Sequence, residues 1–172
     1  MPAEPIRLAA VLALVAALGG CDKPRFSDAP RVKQTFGVVT TTEPLPPLPA
    51  WAAPLLGKGM RDAFPAVADC VGSADAVDLR YEGAAAGSRV TGWAWDRERK
   101  APPPRIVLTD KRFRIVGAGE TGLARPDVMA ARDEVTTPAA GWHAVTARVE
   151  GQVYAFGADE SGRACKLGRI GL

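Results

Sequence analysis

Histidine is almost missing from this chain: His143 is the only one in 172 residues. A single imidazole leaves no ordinary zinc set. A catalytic histidine would need an orienting carboxylate and a substrate within reach, and His143 beside Trp142 reads instead as a strand-end or surface residue. The three cysteines show no Cys-x-x-Cys spacing, so the arrangement that lowers a thiol pKa for redox exchange is missing. Ser73, Ser88 and Ser161 lie in no Gly-x-Ser-x-Gly elbow. Neither sign of charge dominates, with 22 basic against 19 acidic residues and a net charge of +3. The two denser runs, Arg97-Glu98-Arg99-Lys100 and Lys111-Arg112-Phe113-Arg114, read as solvated loops or strand faces rather than a nucleic-acid footprint. Attraction to anionic lipid or acidic polysaccharide stays open. No cofactor, no metal and no catalytic constellation is implied.

What is present begins at the N-terminus. Arg7 is followed by an apolar stretch, Leu8 to Leu18, and then by Gly19-Gly20-Cys21. The stretch is shorter than the roughly 20 apolar residues that span a bilayer. The pattern resembles the lipobox of a bacterial lipoprotein signal peptide, so residues 1–20 are expected to be removed and Cys21 to carry lipid. More than one acyl chain makes such an anchor effectively stable. The resemblance implies an extracytoplasmic, lipid-anchored protein facing the periplasm. Asp22 resembles an inner-membrane retention signal.

With Cys21 lipidated, Cys70 and Cys165 remain, and in an oxidising compartment they are expected to pair. Residues 21–61 read as a tether, because Pro44-Leu45-Pro46-Pro47-Leu48-Pro49 and Pro54 disfavour helix and interior strand. Such a segment extends as polyproline II and holds a domain off the membrane. Val38 to Thr42 is β-prone and fits an edge strand. Trp51 either docks the tether or is exposed.

Residues 62–172 read as an all-β domain. Seven short strands are expected at 76–81, 89–96, 105–109, 112–117, 142–149, 152–158 and 164–170, the spacing of a β-sandwich of Ig-like or jelly-roll-like type. Asp110-Lys111 and Glu150-Gly151 read as hairpin turns. One short helix fits Val128 to Asp133, with Asp127 as its cap.

Within this domain the order Gly92-Trp93-Ala94-Trp95-Asp96, Ile106-Val107-Leu108-Thr109-Asp110, Arg125-Pro126-Asp127-Val128 and Gly141-Trp142 resembles a β-sandwich module of bacterial envelope and polysaccharide-related proteins. The resemblance covers roughly residues 68 to 170. It implies no catalytic residues. The strand period puts Trp93 and Trp95 on one face, where they form either core or a stacking platform for sugars, and Gly92 lets a backbone or ring approach closely. Arg125 either binds a ligand or pairs with a carboxylate such as Asp96 or Asp110. The candidate ligand-binding set is Trp95, Trp142, Tyr154, Arg125 and Asp127. The expected function is a non-enzymatic binding or assembly module for surface glycan or an envelope protein. The alternatives are a glycan-processing enzyme using paired acids among Asp75, Asp78, Asp96, Asp110, Asp159 and Glu160, and a structural subunit of an envelope complex.

Overall fold

The computed structural model describes residues 37–172. The leader, Cys21 and Asp22 lie outside the described residues. The elements run β1 (Val39–Thr41), α1 (Met60–Ala63), β2 (Ala66–Val67), β3 (Cys70–Tyr81), β4 (Gly87–Asp96), β5 (Arg105–Thr109), β6 (Ile115–Leu123), α2 (Pro126–Ala131), β7 (Gly141–Thr146), β8 (Gln152–Ala158) and β9 (Arg163–Gly171). Single 3₁₀ turns lie at Ala53–Leu55 and Pro138–Ala140.

The all-β class holds, but the hydrogen bonds draw one sheet rather than the two of the expected sandwich. Its order is β1-β3-β4-β7-β6-β5-β8-β9-β2. The seven long strands, β3 to β9, are antiparallel neighbours, and β1 and β2 are short parallel additions on β3 and β9. A twisted sheet of this width curls, and here β3 and β9 meet. Cys70 and Cys165 are disulfide-bonded across that seam, with their Cα atoms 5.7 Å apart. No strand ladder joins β3 to β9. The seam closes on side chains, and it needs small ones. A Cβ on Gly72 would run into Leu167, and one on Gly168 would crowd Ala74.

The hairpin expected across Glu150-Gly151 does not form. β7 pairs with β4 and β6, whereas β8 pairs with β5 and β9. The 147–151 connection therefore crosses the end of the sheet in Greek-key fashion. The β5–β6 hairpin is real, but its turn extends from Asp110 to Arg114.

Alternation sorts the core into an inside and an outside. Val90, Ile106, Leu108, Trp142, Ala144 and Val153 fill the interior of the rolled sheet. Trp142 lies against Gly92, where a Cβ would collide with the indole and with the Ser73 carbonyl. Trp93 and Trp95 share the outer face, where Val128, Val135 and Ala140 from the 124–140 excursion cover them. Met60 and Phe64 cover Val107, Ile115 and Ala158 on another part of that face, with Trp51 and Leu55 beside them. Residues 39–61, expected in a free tether, are thus part of the domain surface. Proline prevents strand pairing there but not docking of apolar side chains.

Candidate functional site

The site starts from three adjacent strands. The register places Arg89, Val145 and Ala118 in one row across β4, β7 and β6, and Thr91, His143 and Glu120 in the next. With side chains alternating along each strand, both rows lie on the outer face, opposite Val90, Ala144 and Trp142. The proline segment Pro46 to Trp51 passes over this face and leaves a groove of about 740 Å³. Its floor is Tyr81, Arg89, Ala118, Glu120, His143 and Val145.

The wall stays in place through a few defined contacts. Leu45 N–H donates to the Ala85 carbonyl at 2.9 Å, and Ala52 N–H closes a turn on the Pro49 carbonyl. The Trp51 indole N–H donates to Glu120 Oε1 at 3.3 Å. The Arg105 guanidinium lies 5.0 Å from the centre of the Trp51 ring, a cation–π contact. Proline has no N–H, so Pro46, Pro47 and Pro49 offer the groove only carbonyl acceptors.

Arg89 on the floor is locked to Asp78 by hydrogen bonds of 2.6 to 3.1 Å. Those bonds raise its pKa further, against the opposing effect of burial, with help from the charge on Asp78 and from Tyr81. The pair presents direction rather than net charge. Glu120 and His143 are exposed and directly opposite each other in the ladder. His143 is a surface residue, as expected, though mid-strand and not at a strand end. The groove thus combines one carboxylate, one imidazole, a fixed ion pair and an apolar patch from the proline rings. That mixture suits a ligand whose groups both donate and accept hydrogen bonds and whose C–H faces are apolar.

No family model, curated protein or solved structure matches this chain.

The residues singled out from the sequence are placed differently. Trp95 is 2% exposed and Trp142 fully buried, so neither has a face for a ligand; both are core. Tyr154 is half-buried, with its hydroxyl donating to Gln152. Its ring meets Phe113 at 5.4 Å, and Lys166 Nζ stands 5.3 Å from its centre. Arg125 bonds neither Asp96 nor Asp110. It forks to Asp127 at 2.8–3.2 Å and reaches Asp75 at 2.7 Å. Asp127's hydrogen bonds lead the causes that raise the Arg125 pKa, with Asp75 adding to them against burial. The helix N-cap is Arg125 rather than Asp127, and no side chain caps it. The set Arg125, Asp127 and Asp75 ties the 124–140 excursion to β3, and none of the three lines the groove.

The loop acids also have local partners. Asp96 accepts from the Glu98 and Arg99 amides and from Arg163. Asp110 accepts from the Arg112 and Arg114 amides and pairs with Arg148. Asp159 accepts from Ser161 and from the Arg163 amide and pairs with Arg99. Burial pushes Asp159 and Asp110 upward. For Asp159 the Ser161 and backbone hydrogen bonds outweigh it, and for Asp110 the Arg114 and Arg112 amides do; both end below the ordinary carboxylate range.

Sequence reasoning missed Glu120 and the grouping of Trp51, Glu120 and His143. The available signal was the alternation Ala118-Gly119-Glu120, which continues β6 past Gly117.

Proposed function

We propose that this is an envelope lipoprotein, anchored through Cys21 on the extracytoplasmic side of a membrane, whose domain binds a surface glycan without transforming it. The observation that carries the glycan half is the groove beneath Pro46–Trp51, with Glu120 and His143 on its floor and an indole in its wall. Sugar hydroxyls donate and accept together, matching a carboxylate, an imidazole and carbonyl oxygens. Sugar C–H faces match the proline rings. The resemblance of the Gly92–Asp96 and Arg125–Val128 stretches to the envelope module supports the same setting, although the single sheet differs from that module's two.

Binding is favoured over paired-acid hydrolysis because Glu120 is the one carboxylate lining the groove, and glycoside hydrolysis in its usual form uses two.

Titration calorimetry of the full oxidised chain against fragments of its own envelope polysaccharides tests this. Saturable heat is expected, weakened roughly tenfold or more in Glu120→Ala, since a hydrogen bond to a charged group is worth about 1.5–3 kcal/mol. His143→Ala should weaken it as well. Equal affinity in both variants would remove the groove from the function.

A further inference from the structure

One end of the rolled sheet is built unlike the other. Tyr81 pairs with Gly87, Thr146 with Ser88 and Gly117, and Thr109 with Ile115 and Tyr154. That register gathers the 82–86, 110–114 and 147–151 turns at a single end, where Arg80 also donates to the Val149 carbonyl at 3.3 Å. β1 runs parallel to β3 with Thr41 opposite Tyr81. β1 therefore lies beside the last residues of β3 and runs toward this end.

Phe113 lies in the 110–114 turn. It is 47% exposed, and its backbone is left-handed at φ 56°, a region that a bulky side chain seldom occupies. The turn is fixed around it. Phe113 N–H donates to the Asp110 carbonyl at 2.9 Å, and the Phe113 carbonyl accepts from Met60 N–H at 2.8 Å. The Asp110 carboxylate binds the Arg112 and Arg114 amides at 2.9 and 3.0 Å. The ring packs on Tyr154 at 5.4 Å and on Phe156 at 6.3 Å, and about half of it still faces solvent. A cavity of about 440 Å³ adjoins the ring, lined by Met60, Phe156, Arg61, Arg112 and one acid, Asp62.

The surrounding charge is positive on balance, with five exposed cations against Asp62, Glu82 and Glu150, acids unpaired among the described residues. Lys58, Arg61, Lys111, Arg112 and Lys166 are exposed and form no salt bridge among the described residues. At this end Arg148 is paired with Asp110; toward the opposite end Arg97, Arg99, Arg105, Arg125 and Arg163 are in salt bridges and Lys100 is not.

We infer that the Phe113 end docks on an anionic bilayer surface, with the ring entering the headgroup layer and the free cations facing lipid phosphates. An exposed aromatic ringed by Lys and Arg has the chemistry of an interfacial anchor. An acidic polysaccharide is the weaker fit. The Phe113 and Tyr154 rings are tilted by 41°, Lys166 stands over Tyr154, and no flat free platform remains. The inference rests on the proposed Cys21 anchor only for bringing the bilayer within reach.

The test is hydrogen exchange of the full lipidated chain on phosphatidylcholine vesicles with or without about 30 mol% phosphatidylglycerol, since each cation near an anionic surface changes affinity about fivefold. Amides of Lys111 to Phe113 and of Arg61 are expected to exchange at least several-fold more slowly on the anionic vesicles. The difference should vanish in high salt and in Phe113→Ser, whose folding is checked by its thermal midpoint. Equal exchange on both vesicle types overturns the inference, as does protection unchanged by Phe113→Ser. So does protection conferred by an added acidic polysaccharide but not by vesicles. Flotation in high salt reports separately on the anchor: protein that washes off counts against Cys21 lipidation, while the low-salt exchange difference still decides docking.

Discussion

Reducing the Cys70–Cys165 bond should remove about a third or more of the domain's stability. The bond spans 95 residues. In the chain-entropy treatment a loop of that length restricts the unfolded ensemble by about 4.7 kcal/mol. Domains commonly have roughly 5–15 kcal/mol in total. The native side adds to the effect, because β3 and β9 share no ladder and the disulfide lies in the interior cluster with Leu167 and Val77. Urea unfolding followed by tryptophan fluorescence checks it, with samples oxidised or held reduced. With an m-value near 2 kcal/mol/M, the midpoint should fall by about 2 M. The slope should change as well, since the reduced unfolded chain exposes more surface. A midpoint shift under about 0.5 M would refute the reasoning. It would mean that the Gly72–Leu167 and Ala74–Gly168 contacts close the seam unaided.

Gly92→Ala should cost about 3 kcal/mol or prevent folding, because its Cβ would overlap the Ser73 carbonyl and the Trp142 ring and neither can move far; thermal unfolding measures it. Trp51→Ala should loosen the groove wall without unfolding the sheet. Losing one hydrogen bond and one cation–π contact, together about 1.5–2 kcal/mol, should speed exchange of the Leu45 amide roughly tenfold or more. Stability should be level from neutral pH to about 5 and fall below about 4, near the unfolded carboxylate value. Asp159 and Asp110 have lowered folded values, so their contribution is complete above the unfolded value and is lost as pH drops through the folded ones. Asp159→Asn should cost roughly 2 kcal/mol at pH 7 and much less at pH 3, read by urea midpoints at each pH.

Alternating residues made the long strands legible, and the shared face of Trp93 and Trp95 followed from the same period. The extra length of β3 and β6 was hidden because both carry glycine and alanine where strand formers are expected. Gly72 and Ala74 are small because β9 approaches there, and Gly119 because the His143 carbonyl does. Such close approaches belong to the rolled sheet and have no local signature. Strand pairing was equally silent: Glu150-Gly151 has hairpin chemistry, yet Greek-key order puts β8 beside β5. Trp142 and Trp95 have the same sequence character as core or as platform, and only their covering by other segments separates the two. Proline content excluded strand pairing in 44–54 correctly, but it carried no information on whether Leu45 and Trp51 would find a surface. The groove was illegible for that reason: its wall and floor come from segments about 30 to 100 residues apart.

His143 provides the most direct measurement. It is the chain's only histidine, so its imidazole signals are unique in an NMR spectrum, and it lies on the groove floor. Titrating the full oxidised chain with fragments of the envelope polysaccharide should shift those signals saturably, with the Trp51 indole N–H moving over the same concentrations. Imidazole signals that stay in place while the fragment binds, or while no fragment binds at all, would contradict a glycan site in this groove.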